Sequence, residues 1–215
     1  MTDTEETRQS DRRSAAYPLR LGLANCSMRL DQFNNAGYQR GRSTLVEAAW
    51  IVTQALLVRS FIPGSFHRRV LLRMFGARVG AGVVIKPGVR VKFPWRLDVG
   101  AHAWIGEGVW IDNLADVKIG AHCCLSQDAY LCTGSHDWSK TTFDLVTAPI
   151  VIGEGAWIAA RAVIAPGVVV GRGAVLGLSS LATASLQENG IYQGVPAKLV
   201  RHRVVATGEP DQSTR

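Results

Sequence analysis

Aromatic side chains make up only 7% of this 215-residue sequence, whereas glycine occurs 22 times. A core of that composition must rest on aliphatic and small side chains arranged around many turns. With 47% hydrophobic residues, the chain can bury one principal domain with appendages. Cysteine is sparse as well. Cys26, Cys123, Cys124 and Cys132 form no CxxC pair and no metal-ligand spacing, which speaks for reduced, packed thiols in the cytoplasm and against a disulfide framework. The opening MTDTEETRQSDRRSAA lacks the apolar core of a signal peptide, so export is not expected. Residues 1–28 read as a disordered tail and residues 204–215 as a flexible one.

Acidic residues are few across 38–98, two against eleven Lys and Arg, a surplus of nine in a chain whose net charge is +7. Such a block favours an anionic neighbour: a phosphorylated ligand, a lipid surface or a nucleic acid. Basic and aromatic residues do not interleave as in RNA-binding modules, which sets nucleic acid aside. The chain also lacks an apolar run of the roughly 20 residues that a membrane span needs. Its strongest apolar segment outside the repeat described next, TLVEAAWIVTQALLV at 44–58, reads as a buried helix. The alternative is a helix lying on a membrane surface, because Arg59, Arg68, Arg69, Arg73 and Arg78 follow closely. A second helix is expected over Ser65 to Phe75, after Pro63-Gly64 and stopped by Gly76. Residues 29–78 thus form a helical cap.

From Val79 onward aliphatic residues recur every six positions. The runs are Val79, Ile85, Val91; Val99, Ile105, Ile111; Ile119, Leu125, Leu131; and Ile152, Ile158, Ile164, Val170, Leu176, Ala182. A helix would repeat near 3.6 and a half-buried strand at 2. A period of six instead makes each hexad a short strand and a corner, and three hexads make one triangular coil. Coils stack about 4.8 Å apart, so the aliphatic residues form columns inside a prism over 79–203. The register slips by two residues at Leu97-Asp98 and Val117-Lys118, which predicts enlarged corners. A longer interruption, Asp137 to Val151, predicts a loop thrown out immediately after His136, and loops of this kind carry function.

The hexads, GSHDW, the late IGEGAWIAARAVIAPGVVVGRGAVLGLSSLAT and the terminal IYQGVPAKLVRHR resemble the left-handed β-helix, hexapeptide-repeat acetyltransferases. LDQFNNAGYQRGRSTL, VIKPGVRVKFPWRL and WIGEGVWIDNLADVKIGAHCCLSQDAYLCTGSHDW are similar to their colanic-acid and exopolysaccharide branch. The resemblance covers roughly 29–203. It implies an all-β, left-handed parallel β-helix with an N-terminal helical cap, and a homotrimer with acetyl-CoA, the acyl donor, in the groove between neighbouring prisms. The implied reaction is O-acetylation of a sugar or glycan-precursor hydroxyl. Acetylation of an amino sugar or xenobiotic, and a non-catalytic scaffold, are the alternatives.

Acetyl transfer to a hydroxyl needs a base, and an imidazole suits it; the resemblance assigns that role to His136. Asp112, Asn113 and Trp138 are candidates for holding the acceptor, with corner-stabilising Asx turns and loop anchoring as the other readings. Ala160, Leu178, Thr183, Ala184, Lys198 and Arg201 match positions that hold the CoA donor. Ala160 stands where relatives often have Ser or Gly, and Ala184 where many have Lys. Asp31, Asn34, Asn35 and Tyr38 of the cap are expected on the acceptor side. His102 and His122, three residues after Val99 and Ile119, should lie on corresponding corners. No metal site is expected, since the pair of histidines five residues apart that a prism zinc site uses is missing. Nothing marks a Ser or Cys nucleophile, although Cys132 lies close to His136 in sequence.

Overall fold

The computed structural model describes residues 28–204; both tails, apart from their innermost residues, and Cys26 lie outside them. From residue 78 the chain winds into a left-handed parallel β-helix with three faces. The first holds Arg78–Val79, Leu97–Val99, Val117–Ile119, Ile150–Ile152 and Val169–Val170, hydrogen-bonded in that order. The second begins with Val84–Ile85 and ends with Val175–Leu176 and the terminal pair Gly190–Gly194 and Ala197–His202; the third runs from Arg90–Val91 to Leu181–Ala182. Register follows the hexads. Val79 pairs with Val99, Ile85 with Ile105, Ile152 with Ile119 and Ile158 with Leu125. These side chains are buried in one continuous core. Period six becomes structure here because every third hexad returns to the same face, where apolar side chains stack and the backbone groups between coils pair.

The helices α1 (Thr44–Thr53, continued as one π-helical turn over Gln54–Val58) and α2 (Phe66–Met74) lie over the open end of the prism. The first coil has no coil above it, so its upward backbone groups need partners. The cap provides them. Trp50 Nε1 donates to Val91 O at 2.8 Å, Gln54 Oε1 accepts from Val91 N at 2.6 Å, and Ser65 Oγ accepts from Ile85 N at 2.9 Å. Arg69 and Arg73 donate to Val83 O and Val79 O. Arg68 is buried beneath this layer, and its guanidinium donates to the carbonyls of Val58, Ser60, Ile62 and Gly64. The expected buried helix is therefore corrected. Only Trp50 and Val58 of the 44–58 segment are buried; Val46 is half-buried, and the segment's other apolar side chains, from Leu45 to Leu57, are exposed.

Both enlarged corners exist, one turn before the residues that signalled them: a 3-10 turn at Pro94–Arg96 and a turn over 113–116. The long interruption also differs from expectation. Instead of a loop starting after His136, Gly134–His136 and Leu145–Thr147 pair as an antiparallel hairpin, His136 opposite Leu145, and Ile150–Ile152 already belongs to the fourth coil. Hexad counting measures the length of an insertion but cannot locate its departure, because the inserted residues pair with each other. All three insertions leave from the edge between the third and first faces. His102 and His122 do stack on one corner, with ring centroids 5.3 Å apart and φ of 58° and 57°. His102 occupies the space over Gly82, where a Cβ would come within 2.3 Å of its Nδ1.

Candidate active site

His136 sits on the outgoing strand of the hairpin and is held by Phe143 from the loop between the two strands. Its Nδ1 lies 2.8 Å from Phe143 O, and the two rings stack at 4.2 Å with 3° between planes. A carbonyl only accepts, so Nδ1 carries the proton and Nε2 keeps its lone pair. Phe143 adopts φ of +51°, a left-handed conformation unusual for an aromatic residue and one that clusters at functional sites. Phe33 also packs against the imidazole, its ring 5.7 Å away and tilted by 59°. The cap reaches this hairpin directly through Arg29 N, which donates to Thr141 O at 2.8 Å.

His136 lines a cavity of about 250 Å³ together with Phe33, Asn35, Tyr38, Glu47 and Lys92. The enlarged corners build its wall. Trp95 Nε1 donates to Arg40 O at 2.7 Å, Arg96 donates to Leu114 O and Gln39 O, and Tyr38 Oη donates to Leu114 O at 2.7 Å. Glu47 pairs with Arg40 at 3.0 Å. Charged, amide and aromatic groups therefore converge beside one imidazole, the pattern of a polar small-molecule site.

Of the acceptor-side expectations, Asn35 and Tyr38 line this cavity. Asp31 pairs with exposed Arg29, whose guanidinium holds its carboxyl below the usual range, and Asn34 Oδ1 accepts from Ala36 N. Asn113 is a correction. It is fully buried, its Oδ1 accepting from Phe93 N at 2.9 Å and its Nδ2 donating to Phe93 O at 2.7 Å, so the amide splices two coils and does not face a ligand. Asp112 lies on the outer side of the third face, where Tyr130 Oη donates to it at 3.3 Å. Burial is the main cause pushing the Tyr130 phenol upward, with Cys132 and Asp112 adding to it. Trp138 is 79% exposed on the hairpin loop and does not anchor it. The Cys132 thiol donates to Gly134 O at 3.1 Å.

A second depression, about 680 Å³, runs along the second face and its edge with the third. Ala160, Leu178 and Arg201 line it with Trp157, Gln193 and Arg203. Through Ser126 and Gln127 it continues into another hollow of about 420 Å³ reaching Val84 and Lys86 in the first coil. Trp157 Nε1 donates to Ser126 Oγ at 2.9 Å. Lys198 stands opposite Gln193 in the terminal strand pair. Thr183 and Ala184 are exposed and lie elsewhere, on the His136 edge, two coils further along. Sequence reasoning missed Phe33, Phe143, Trp157 and Arg203. The left-handed φ that marks Phe143 has no sequence signal in a residue other than glycine or asparagine. Among the described residues, no group of three or more His, Cys, Asp or Glu is placed to hold a metal ion.

A triangular prism of hexads, with a clamped imidazole on one edge and a long groove ending in arginines on another, belongs to a recognised class of transferase. The model for bacterial transferase hexapeptide repeats (six repeats) matches residues 149–177. WcaF of Escherichia coli (strain K12), named for colanic acid biosynthesis acetyltransferase activity, is 41% identical over 168 residues, 78% of this chain and 92% of the relative. The galactoside O-acetyltransferase of the same organism is 26% identical over 137 residues, 62% of this chain and 68% of its own. A hexapeptide-repeat acetyltransferase of Vibrio cholerae, solved with acetyl coenzyme A, has a TM-score of 0.68 at 23% identity, covering 75% of this chain and 91% of that one. The chain belongs to the hexapeptide-repeat acetyltransferases.

Proposed function

We propose that the chain transfers the acetyl group of acetyl-CoA directly to a hydroxyl of a sugar, in the building of an exopolysaccharide. The observation that carries this reading is the His136–Phe143 clamp, which fixes the imidazole as an acceptor at Nε2 beside a cavity of polar and aromatic side chains. The acceptor hydroxyl gives its proton to Nε2 as its oxygen attacks the thioester carbonyl. Collapse of the tetrahedral adduct expels the CoA thiolate, which takes the proton back from the imidazolium. No acyl-enzyme is required. Phe33 and Tyr38 offer half-buried aromatic rings, and Asn35, Glu47 and Lys92 offer hydrogen-bond partners, a combination suited to a pyranose. Trp138 and Asp112 stand as additional acceptor contacts. The relatives named for colanic acid and galactoside acetylation support the same acceptor class.

The groove on the second face suits an extended thioester: Trp157, Ala160 and Leu178 along the pantetheine arm, and Arg201 and Arg203 for phosphates, with Lys198 opposite Gln193 in the adjoining strand pair. Yet this groove and His136 lie on different edges of one prism, a face of about six residues or roughly 20 Å apart. A side-by-side homotrimer resolves this. When the His136 edge of one protomer lies against the groove of the next, Thr183 and Ala184 arrive at the same junction, and a head-to-tail contact of this kind closes into a ring. The donor is a cytoplasmic metabolite and the three described cysteines are free, which favours the cytoplasm. Among the described residues no helix is long and apolar enough to cross a membrane.

Incubation with acetyl-CoA and a panel of sugars and glycan precursors tests the reaction, reading thiol release and the acetylated product. An alkali-labile ester is expected. An alkali-stable amide would move the assignment to amino sugars, and failure to bind acetyl-CoA would leave a scaffold.

A further inference from the structure

Helix α1 is apolar on the side that it turns away from the prism. Trp50, Gln54 and Val58 face the first coil, whereas Leu45, Ala48, Val52 and Leu56, on the opposite side of the helix, are exposed. An outward-facing helix side this apolar calls for a cover. The exposed surface continues through Phe61 at 83%, Phe66 at 72% and Met74 at 73%, and beside it lies an apolar groove of about 340 Å³ lined by Leu57, Ile62, Phe66 and Val70. Because the cap's polar groups are spent on the upward edge of the first coil, this outer surface looks away along the prism axis.

Charge decides what covers it. Between Glu47 and Asp98 there is no acidic residue at all, against nine Lys and Arg. Within that stretch, Arg59 and Arg73 are exposed and Arg69 half-buried, and Arg69 and Arg73 donate only to carbonyls, which neutralise nothing, whereas Arg68 is buried within the cap. A second copy docked end to end would bring two such surfaces together, and like charges across an interface are unfavourable. The side-by-side trimer proposed above uses prism edges and leaves the ends free. A bilayer containing anionic lipid meets both demands, since it accepts apolar side chains to a shallow depth and attracts the surrounding arginines.

We propose that the outer face of the cap, from α1 through Phe66, docks on an anionic phospholipid membrane, holding the prism upright on the surface. The full-length protein should co-sediment with vesicles of phosphatidylcholine mixed with phosphatidylglycerol, bind pure phosphatidylcholine vesicles far less, and release in high salt. The double variant Val52→Glu, Leu56→Glu, both positions being exposed, should bind the anionic vesicles at least about tenfold more weakly with an unchanged melting temperature and unchanged sedimentation without lipid. Wild-type protein that stays in the supernatant, or a variant that binds as wild type, overturns the proposal. A variant that instead alters the oligomeric state without lipid overturns it in favour of a subunit contact. The trimer itself is read independently, from wild-type sedimentation in lipid-free buffer.

Discussion

Phe143 holds His136 by two means at once: its carbonyl accepts a hydrogen bond from Nδ1 at 2.8 Å while its ring lies flat against the imidazole at 4.2 Å. Phe143→Gly separates them. Glycine tolerates φ of +51° better and keeps the carbonyl, so the tautomer survives and only the stacking is lost. A fall in kcat of about tenfold is expected from a loosened base, with KM for acetyl-CoA unchanged. Steady-state kinetics on the purified enzyme checks both parts.

Removal of the imidazole in His136→Ala should lower kcat by about 10²–10⁴-fold, the range for loss of a positioned base. Thermal stabilisation by acetyl-CoA should persist, since the donor groove lies on another edge. His102→Ala and His122→Ala, at a stacked corner outside both cavities, should retain turnover. Full activity in His136→Ala would remove the base assignment.

The shared site predicts complementation between damaged subunits. His136→Ala spoils one edge and Leu178→Glu the other, so each homotrimer should be nearly inactive. Random mixed rings should recover about one quarter of wild-type activity, the chance that a junction receives both intact halves. No recovery on co-expression, with mixed assembly verified, would mean that each chain holds a complete site.

Asn113→Ala should act on stability and not on binding. It strands the buried N–H of Phe93, whose carbonyl still accepts from Arg96 N, a cost of about 1–3 kcal/mol, visible as a drop in Tm of several degrees. KM for the acceptor below the transition should stay near the wild-type value.

Arg68→Met leaves four carbonyls of the cap, from Val58 to Gly64, without their donor. Hydrogen bonds to a charged group contribute about 1.5–3 kcal/mol apiece when broken singly, so the cap should loosen first. Hydrogen exchange across 54–64 should accelerate well before exchange in the fourth coil does.

Much of this protein is legible without coordinates, and the reason is local. The columns from Val79 to Ala182 repeat at a spacing that only a three-sided coil satisfies, each coil bonds only to its neighbours, and the stacked histidines at 102 and 122 follow from counting. Asn113 misled because a polar residue at a corner looks the same whether it meets a ligand or splices Phe93 to the next coil. Helix α1 misled because apolarity alone does not say which side is covered. What the sequence by itself determined was the prism, its order of faces and the one histidine at an interruption. Tertiary structure alone decided that Phe143 would turn back onto that histidine, that of the four cap residues expected on the acceptor side only Asn35 and Tyr38 would line its cavity, and that His136 and the groove would occupy different edges. Those outcomes depend on contacts between residues far apart in the chain and on where inserted segments choose to pair, and no period in the sequence encodes either.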